Sequence, residues 1–250
     1  MRFSERLRSG PPLVATFSMI ASPIVVELLA RAAFDAVVFD AEHGPLGPEA
    51  LNVLIPAASG AGIAPIVRVR ANEPSLIGGA LDIGAAAVLV PQVESPAQAA
   101  AAVSAARFGP GGRRGTNPYV RAAGYGASPD WFSRANDESA VLVMVEGAGG
   151  IGSLDGILAT PGLDGVFIGP FDLSQSLGVP GQIEHPGVLA RVEAIVRVAA
   201  GRQVATAVFA PTPPLARRWL ELGVRLVAVS FDTALALEGF RTARAAVGSG

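Results

Sequence analysis

Ala36-Val37-Val38-Phe39-Asp40-Ala41-Glu42-His43-Gly44-Pro45, residues 36–45, sets the reading of the whole chain. Its first four residues are apolar without a break, the pattern of a strand covered on both faces. The next six form a polar turn carrying two carboxylates and a histidine. The same order of apolar run, polar turn and helix recurs from end to end. Further runs occupy 13–17, 65–69, 87–90, 141–145, 165–168, 204–209 and 226–229. Between them lie helical stretches at 22–33, with Ser22 as N-cap and Pro23 at N1, and at 48–58, 95–107, 186–200, 213–222 and 233–246. Several end in a glycine turn, as in Leu222-Gly223. Eight such alternations in 250 residues predict an α/β chain folded as a single (β/α)8 TIM-type barrel over 1–250. A doubly wound open sheet is the alternative, but no Gly-x-Gly-x-x-Gly follows the first strand to support it. The stretch 108–139, polar and rich in Gly, Pro and Tyr, reads as a long loop excursion of the functional or subunit-contact kind.

Composition narrows the chemistry. Half the residues are apolar and 16% are charged, which allows a deep core and argues against disorder. The net charge is −2, and the longest basic tracts are the pairs Arg113-Arg114 and Arg217-Arg218, so no nucleic-acid partner is expected. Mean hydropathy is +0.45, yet Gly, Pro or charge breaks every apolar run short of the ~20 residues that span a bilayer. No apolar stretch of the signal-peptide kind follows the arginines of residues 1–10. The expectation is a soluble, cytoplasmic protein with no membrane partner. All 19 basic residues are arginine, cysteine is absent, and the only histidines are His43 and His185. Imine formation on lysine, thiol catalysis and lysine-bound pyridoxal phosphate are thereby excluded. Carboxylates, a histidine, arginines, hydroxyls or a bound metal must carry any reaction.

In a barrel of this type reactive groups gather just after the strands. Asp40, Glu42 and His43 follow the second strand, Arg68 ends the third with Arg70 two residues on, and Pro91-Gln92 follow the fourth. Glu146 closes the fifth, and Gly169-Pro170-Phe171-Asp172 follow the sixth. Glu146 and Asp172 could converge on a hard divalent cation, with water and substrate oxygens completing an octahedron. The competing reading is that each caps the next helix, and Asp172 before Leu-Ser-Gln-Ser has the chemistry of an N-cap. His43 sits in a Gly/Pro-flanked turn, where an imidazole suits proton transfer near neutral pH or serves as a structural hydrogen-bonding group. His185, before a helix, reads as a surface or capping residue. Arg68 ends an apolar strand and must find an anion: a ligand oxygen, or a salt bridge to Asp40 or Glu42. Arg70 and Arg121 read as solvated or interface residues, and Tyr125, Trp131 and Phe132 as packing for the excursion.

Taken in order, several stretches resemble the HpcH/HpaI aldolase family, metal-dependent class II pyruvate aldolases with a phosphoenolpyruvate/pyruvate-type barrel. They are Phe39-Asp40-Ala41-Glu42-His43-Gly44-Pro45, Pro65-Ile66-Val67-Arg68-Val69 and Ala80-Leu81-Asp82-Ile83-Gly84-Ala85 leading to Val88-Leu89-Val90-Pro91. Val143-Met144-Val145-Glu146 and Gly165-Val166-Phe167-Ile168-Gly169-Pro170-Phe171-Asp172-Leu173-Ser174 complete the set. The resemblance implies a carbon–carbon lyase working through the enolate of pyruvate or a related 2-oxo acid, with an aldehyde partner. It implies Glu146 and Asp172 as ligands of Mg2+, Mn2+ or Co2+, and Arg68 beside the substrate oxygens. His43 would be the acid/base at the aldehyde or hydroxyl oxygen, oriented by Asp82. Asp40 and Glu42 would support the metal through water or hydrogen bonds from outside its ligand set. Gly169, Pro170, Phe171 and Met144 would line the substrate.

Two positions depart from the family pattern. Met144 stands where members commonly carry Gln, and Phe171 where many carry a small residue. Oxaloacetate decarboxylation and citrate-type condensation therefore stay open as other enolate chemistry on the same site. A thioester lyase and a catalytically silent binding barrel are further alternatives. The lack of lysine agrees with a metal-dependent rather than an imine-forming aldolase. The resemblance also implies a homo-oligomer, in the pattern of a hexamer. The C-terminal helix, through Leu235, Leu237 and Phe240, and the 108–139 excursion would supply its contacts.

Overall fold

Each strand forms where branched and small apolar residues run unbroken, because both of its faces are covered. In the computed structural model, which describes residues 2–248, these strands are β1 (Leu13–Ser18), β2 (Ala36–Asp40), β3 (Ala64–Arg68) and β4 (Ala87–Val90). They continue as β5 (Ala140–Val145), β6 (Gly165–Ile168), β7 (Ala205–Ala210) and β8 (Leu226–Phe231). All pair in parallel and in chain order, and β8 closes on β1 through Leu13↔Leu226 and Val14↔Val227. The expected (β/α)8 barrel is the observed fold.

Period-two alternation separates two cores rather than core from solvent. In β2, Val37 and Phe39 pack outward against the helices, while Ala36 and Val38 point into the barrel. Alanines at 15, 36, 87, 140, 207 and 228 leave room inside for Leu89, Leu142, Met144, Phe17, Phe167 and Phe209. The interior is therefore packed, and only its upper rim can host a ligand.

The surrounding helices are α1 (Phe3–Ser9), α2 (Pro23–Arg31), α3 (Pro48–Ala61), α4 (Pro74–Ile83) and α5 (Pro96–Ala106). They continue with α6 (Trp131–Glu138), α7 (Ala148–Gly152), α8 (Leu154–Leu158), α9 (Pro170–Ser176), α10 (Pro186–Gly201), α11 (Pro213–Glu221) and α12 (Asp232–Ala246). Most open on proline at the first helical position, where its missing N–H is harmless. The arginine-rich N-terminus folds as α1, whose Phe3 and Leu7 join the barrel-interior cluster. Arg225 holds it there by donating to the carbonyls of Leu7, Arg6 and Gly10.

The 108–139 excursion is not a loop throughout. It contains a 3-10 turn at Arg121–Gly126 and helix α6. Phe108, Trp131, Ala123 and Ala135 form a small core of its own, and the Arg114 guanidinium lies over the Phe108 and Trp131 rings at 4.6 and 5.4 Å. The N-cap reading of Asp172 is also corrected. Gly169 occupies the N-cap of α9, and Asp172 is the helix's third residue, within its first turn. His185 does cap α10, its Nδ1 accepting the Gly187 N–H at 3.1 Å. Among the described residues no helix is long and apolar enough to cross a membrane.

Candidate active site at the carboxyl ends of the strands

The last residues of β2 and β3 stand in register, and both are charged. Asp40 is fully buried and accepts from Arg68 through both oxygens, Nε to Oδ1 at 2.9 Å and Nη2 to Oδ2 at 2.6 Å. Arg68 Nη1 lies 3.2 Å from Glu42 Oε2. Both rim acids proposed as partners for Arg68 thus hold it, and N–H directions on Nη1 and Nη2 are left over. Asp40 Oδ1 also accepts the backbone N–H groups of Glu42 and His43 at 3.1 and 3.2 Å, which pins the turn to the strand. Gly44 lets the turn fold back: a Cβ there would lie 2.3 Å from the Asp40 carbonyl oxygen.

The His43 side chain is 63% exposed, and its Nε2 is 3.8 Å from Glu42 Oε2. Asp82 is elsewhere, on α4, accepting from Arg114 Nη2 at 2.6 Å. Among the described residues no ion pair joins Asp82 to His43. Within one chain, the acids that contact His43 are Asp40 at its backbone and Glu42 at its ring.

Glu146 follows β5 and is nearly buried, and among the described residues no arginine pairs with it. Its Oε1 accepts the Gln92 backbone N–H at 3.1 Å, while Gln92 Nε2 donates to Glu42 Oε1 at 3.1 Å. Gln92 therefore ties the two carboxylates together, a link that the sequence reading missed. It does so from a left-handed backbone, φ 55°, which costs a non-glycine residue strain. At the end of β6, Gly169 allows a close approach: a Cβ would lie 2.5 Å from Glu146 Oε2 and 3.3 Å from Met144 Cε. Met144 is buried in the barrel, Phe171 is exposed, and Asp172 is exposed in the first turn of α9.

Burial pushes the Glu146 carboxyl up to about 7, with repulsion from Asp172 and Glu42 adding to it and the Gln92 N–H and Arg68 opposing. Burial likewise raises Glu42, against Arg68, His43 and Gln92. Carboxylates from three strand ends therefore share this region with one guanidinium, which already pairs with Asp40. The surplus negative charge, the oxygen-only donors and the flush Gly169 backbone fit a hard divalent cation between Glu146 and Asp172. Among the described residues no group of three or more His, Cys, Asp or Glu side chains takes a metal-holding arrangement. A two-carboxylate set would leave the remaining positions of such an ion to water and substrate.

The other side of the rim is aromatic. Phe17 lies under the Arg68 guanidinium at 4.9 Å and stacks on Phe231 at 5.0 Å. Phe231 meets Phe209 at 5.4 Å, and Phe209 meets Phe171 at 5.8 Å. This row was not legible in the sequence, since its members come from β1, β8, β7 and the start of α9. Nearby, Asp232 is buried and accepts from Ser18 Oγ and from the backbone N–H groups of Met19, Ile20 and Thr233.

The comparisons with known proteins agree with the barrel fold. The profile of the HpcH/HpaI aldolase/citrate lyase family matches residues 14–239. The 5-keto-4-deoxy-D-glucarate aldolase of Salmonella paratyphi C (strain RKS4594) is 38% identical over 231 residues, covering 92% of this chain and 90% of that protein. The crystal structure of an HpcH/HpaI aldolase/citrate lyase family protein from Burkholderia cenocepacia J2315 matches with a TM-score of 0.94 at 38% identity, covering 98% of each chain. The citrate synthase SbnG matches with a TM-score of 0.89 at 30% identity, covering 98% of this chain and 97% of that one. The matched profile takes in every rim residue from Phe17 to Asp232, and the chain belongs to the HpcH/HpaI aldolase/citrate lyase family.

Proposed function

We propose that this protein is a divalent-metal-dependent aldolase that makes or breaks a C–C bond between pyruvate, or a close 2-oxo acid, and an aldehyde. The observation that carries this reading is the buried Glu146 carboxylate, which has no ion pair among the described residues and feels the charges of Asp172 and Arg68. Glu146 and Asp172 would hold Mg2+, Mn2+ or Co2+, which supplies Lewis-acid polarisation of the keto group when bound. Arg68, locked in place by Asp40, keeps positive charge beside the substrate oxygens and stabilises negative charge that develops there. In cleavage of a 4-hydroxy-2-oxo acid the C3–C4 bond breaks and its electron pair stays with C3. The C4 hydroxyl proton passes to His43 and C4 becomes the aldehyde carbonyl; C3 then gains a proton to give the methyl group. The exposed His43 imidazole would meet such a hydroxyl at the rim, and Asp40 pins the turn that carries it, with Glu42 Oε2 3.8 Å from its ring. Asp82 is bound to Arg114 and takes no part in this path within one chain. The backbone of Gly169, Pro170 and Phe171 borders the place where a substrate carboxylate would lie. Met144 offers a thioether where the family pattern has an amide, so polar contacts to the 2-oxo acid fall to Arg68 and the rim.

Methyl proton–deuterium exchange of pyruvate, followed by NMR in D2O with Mn2+ or Mg2+ and again with chelator, tests this directly. Exchange is expected only with both protein and metal. It should vanish in Glu146→Ala, Asp172→Ala and Arg68→Ala, whereas His43→Ala should lose aldehyde turnover more than exchange. Equal loss of both in His43→Ala would refute the division of roles. Demonstrated metal binding without exchange would refute pyruvate as the donor and leave a different 2-oxo acid or a binding role. A second reading, citrate-type condensation or oxaloacetate decarboxylation on the same site, is favoured by the 30% identity to a citrate synthase. Turnover of oxaloacetate without turnover of any aldehyde would select it. The proposal includes a homo-oligomer in which α12 packs between neighbours.

A further inference from the structure

We infer that the rim is divided into an ionic half, which holds the 2-oxo acid, and an aromatic half, which selects acceptor aldehydes bearing an apolar or aromatic substituent, with Phe171 and Phe209 setting that preference. The inference rests on the aldolase reading for its donor half. The ionic groups assigned to the donor, Asp40, Glu42, His43, Arg68, Glu146 and Asp172, come from the ends of β2, β3 and β5 or from the first turn of α9, while Asp232, after β8, is buried and occupied by its own donors. The facing strands, β7, β8 and β1, contribute Phe209, Phe231 and Phe17 to the rim, and Phe171 continues their row toward solvent. The row begins directly beneath Arg68, with the Phe17 ring 4.9 Å from its guanidinium carbon. Phe17 and Phe209 are buried in the barrel, so the part of the row open to a substituent beyond Arg68 is the half-buried Phe231 and the exposed Phe171 that rests on Phe209.

Several polar groups on that side are already engaged. Asp232 accepts four N–H or O–H donors, Ser18 donates to it, and Thr16 Oγ1 donates to the Ser230 carbonyl at 3.2 Å. A polyhydroxylated acceptor laid over Phe171 and Phe231 would lose water from the hydroxyls that face the rings, and the rings offer them no hydrogen bond. An apolar substituent meets no such penalty. Phe171 supplies the second, independent sign. It is 48% exposed although it lies next to Asp172 and against Phe209, so its ring is neither core nor remote surface. A bound substituent would complete its burial, as aromatic faces at recognition sites commonly require.

The test uses the full-length protein loaded with Mn2+. Pyruvate methyl exchange serves as the donor control, and kcat/KM is then compared for hexanal and benzaldehyde against glycolaldehyde and glyceraldehyde. The expected ratio favours the apolar pair by roughly tenfold or more, the scale on which an apolar pocket discriminates. Phe171→Ser and the volume-sparing Phe209→Leu should each bring that ratio toward unity. Saturation-transfer NMR with benzyl alcohol, which does not react, should show ring contact that weakens in Phe171→Ser. Equal or greater efficiency on the hydroxyaldehydes, with exchange intact, would overturn the inference and leave the aldolase standing. An apolar preference untouched by both substitutions would overturn the assignment to these rings. Absence of exchange would remove the aldolase reading and this inference together.

Discussion

Glu146 links the site to pH. Its ordinary carboxyl value is 4.5 and burial lifts it to about 7 in the folded protein. Folding of the metal-free chain therefore takes up a proton between those values. The stabilising contribution of the protonated form is full below pH 4.5 and is lost as pH rises through 7, an effect on the order of 3 kcal/mol. Glu146→Gln should accordingly raise Tm of the chelator-treated protein at pH 8 and leave it nearly unchanged at pH 5, by scanning calorimetry. A metal must displace that proton below pH 7, so Mn2+ affinity measured by titration calorimetry should weaken from pH 8 to pH 6. Gly169→Ala drives a methyl group into Glu146 Oε2, and the same titration should show Mn2+ affinity reduced about tenfold or more. Most rim positions were legible because a charged residue at the end of an apolar run has few structural reasons to be there. Gln92 was not, since its contribution depends on a left-handed backbone that no local pattern announces.

At the level of elements, apolar runs marked all eight strands, with boundaries shifted by only a residue or two. Burial on both faces makes such runs continuous, which is why they stood out. Helix α1 went unseen because only Phe3 and Leu7 are large apolar residues in a short, arginine-rich segment. The helix is held by those two side chains and by the Arg225 contacts to its carbonyls, not by its own propensity. Phe3→Ala with Leu7→Ala should lower the unfolding free energy by roughly 4 kcal/mol or more, read from the urea midpoint at unchanged slope. The Trp131 helix was hidden for a related reason. Its apolar face is narrow and finds its partner in Phe108, at the far end of the same excursion.

For the molecule as a whole, the mismatch between the barrel and its last helix sets the next expectation. Along α12, Leu235, Leu237 and Phe240 are 41%, 48% and 72% exposed, and on α2 Ile24 and Leu28 are equally uncovered. Surfaces of this kind suit the proposed homo-oligomer. Light scattering at micromolar concentration should report several times the chain mass of 25.3 kDa, and Phe240→Asp should shift it toward monomer. A monomeric wild type would refute the oligomer and leave the single-chain rim chemistry untouched.

The seam between β1 and β8 has a consequence for how the protein is made. Leu13 must wait for Leu226 before it has its neighbour, and α1, synthesised more than 200 residues earlier, waits for Arg225. Until β8 has been synthesised, the nascent sheet carries two unpaired edges and α1 lacks its Arg225 contacts. Those edges are what chaperones would shield and what stalled translation would leave open to aggregation.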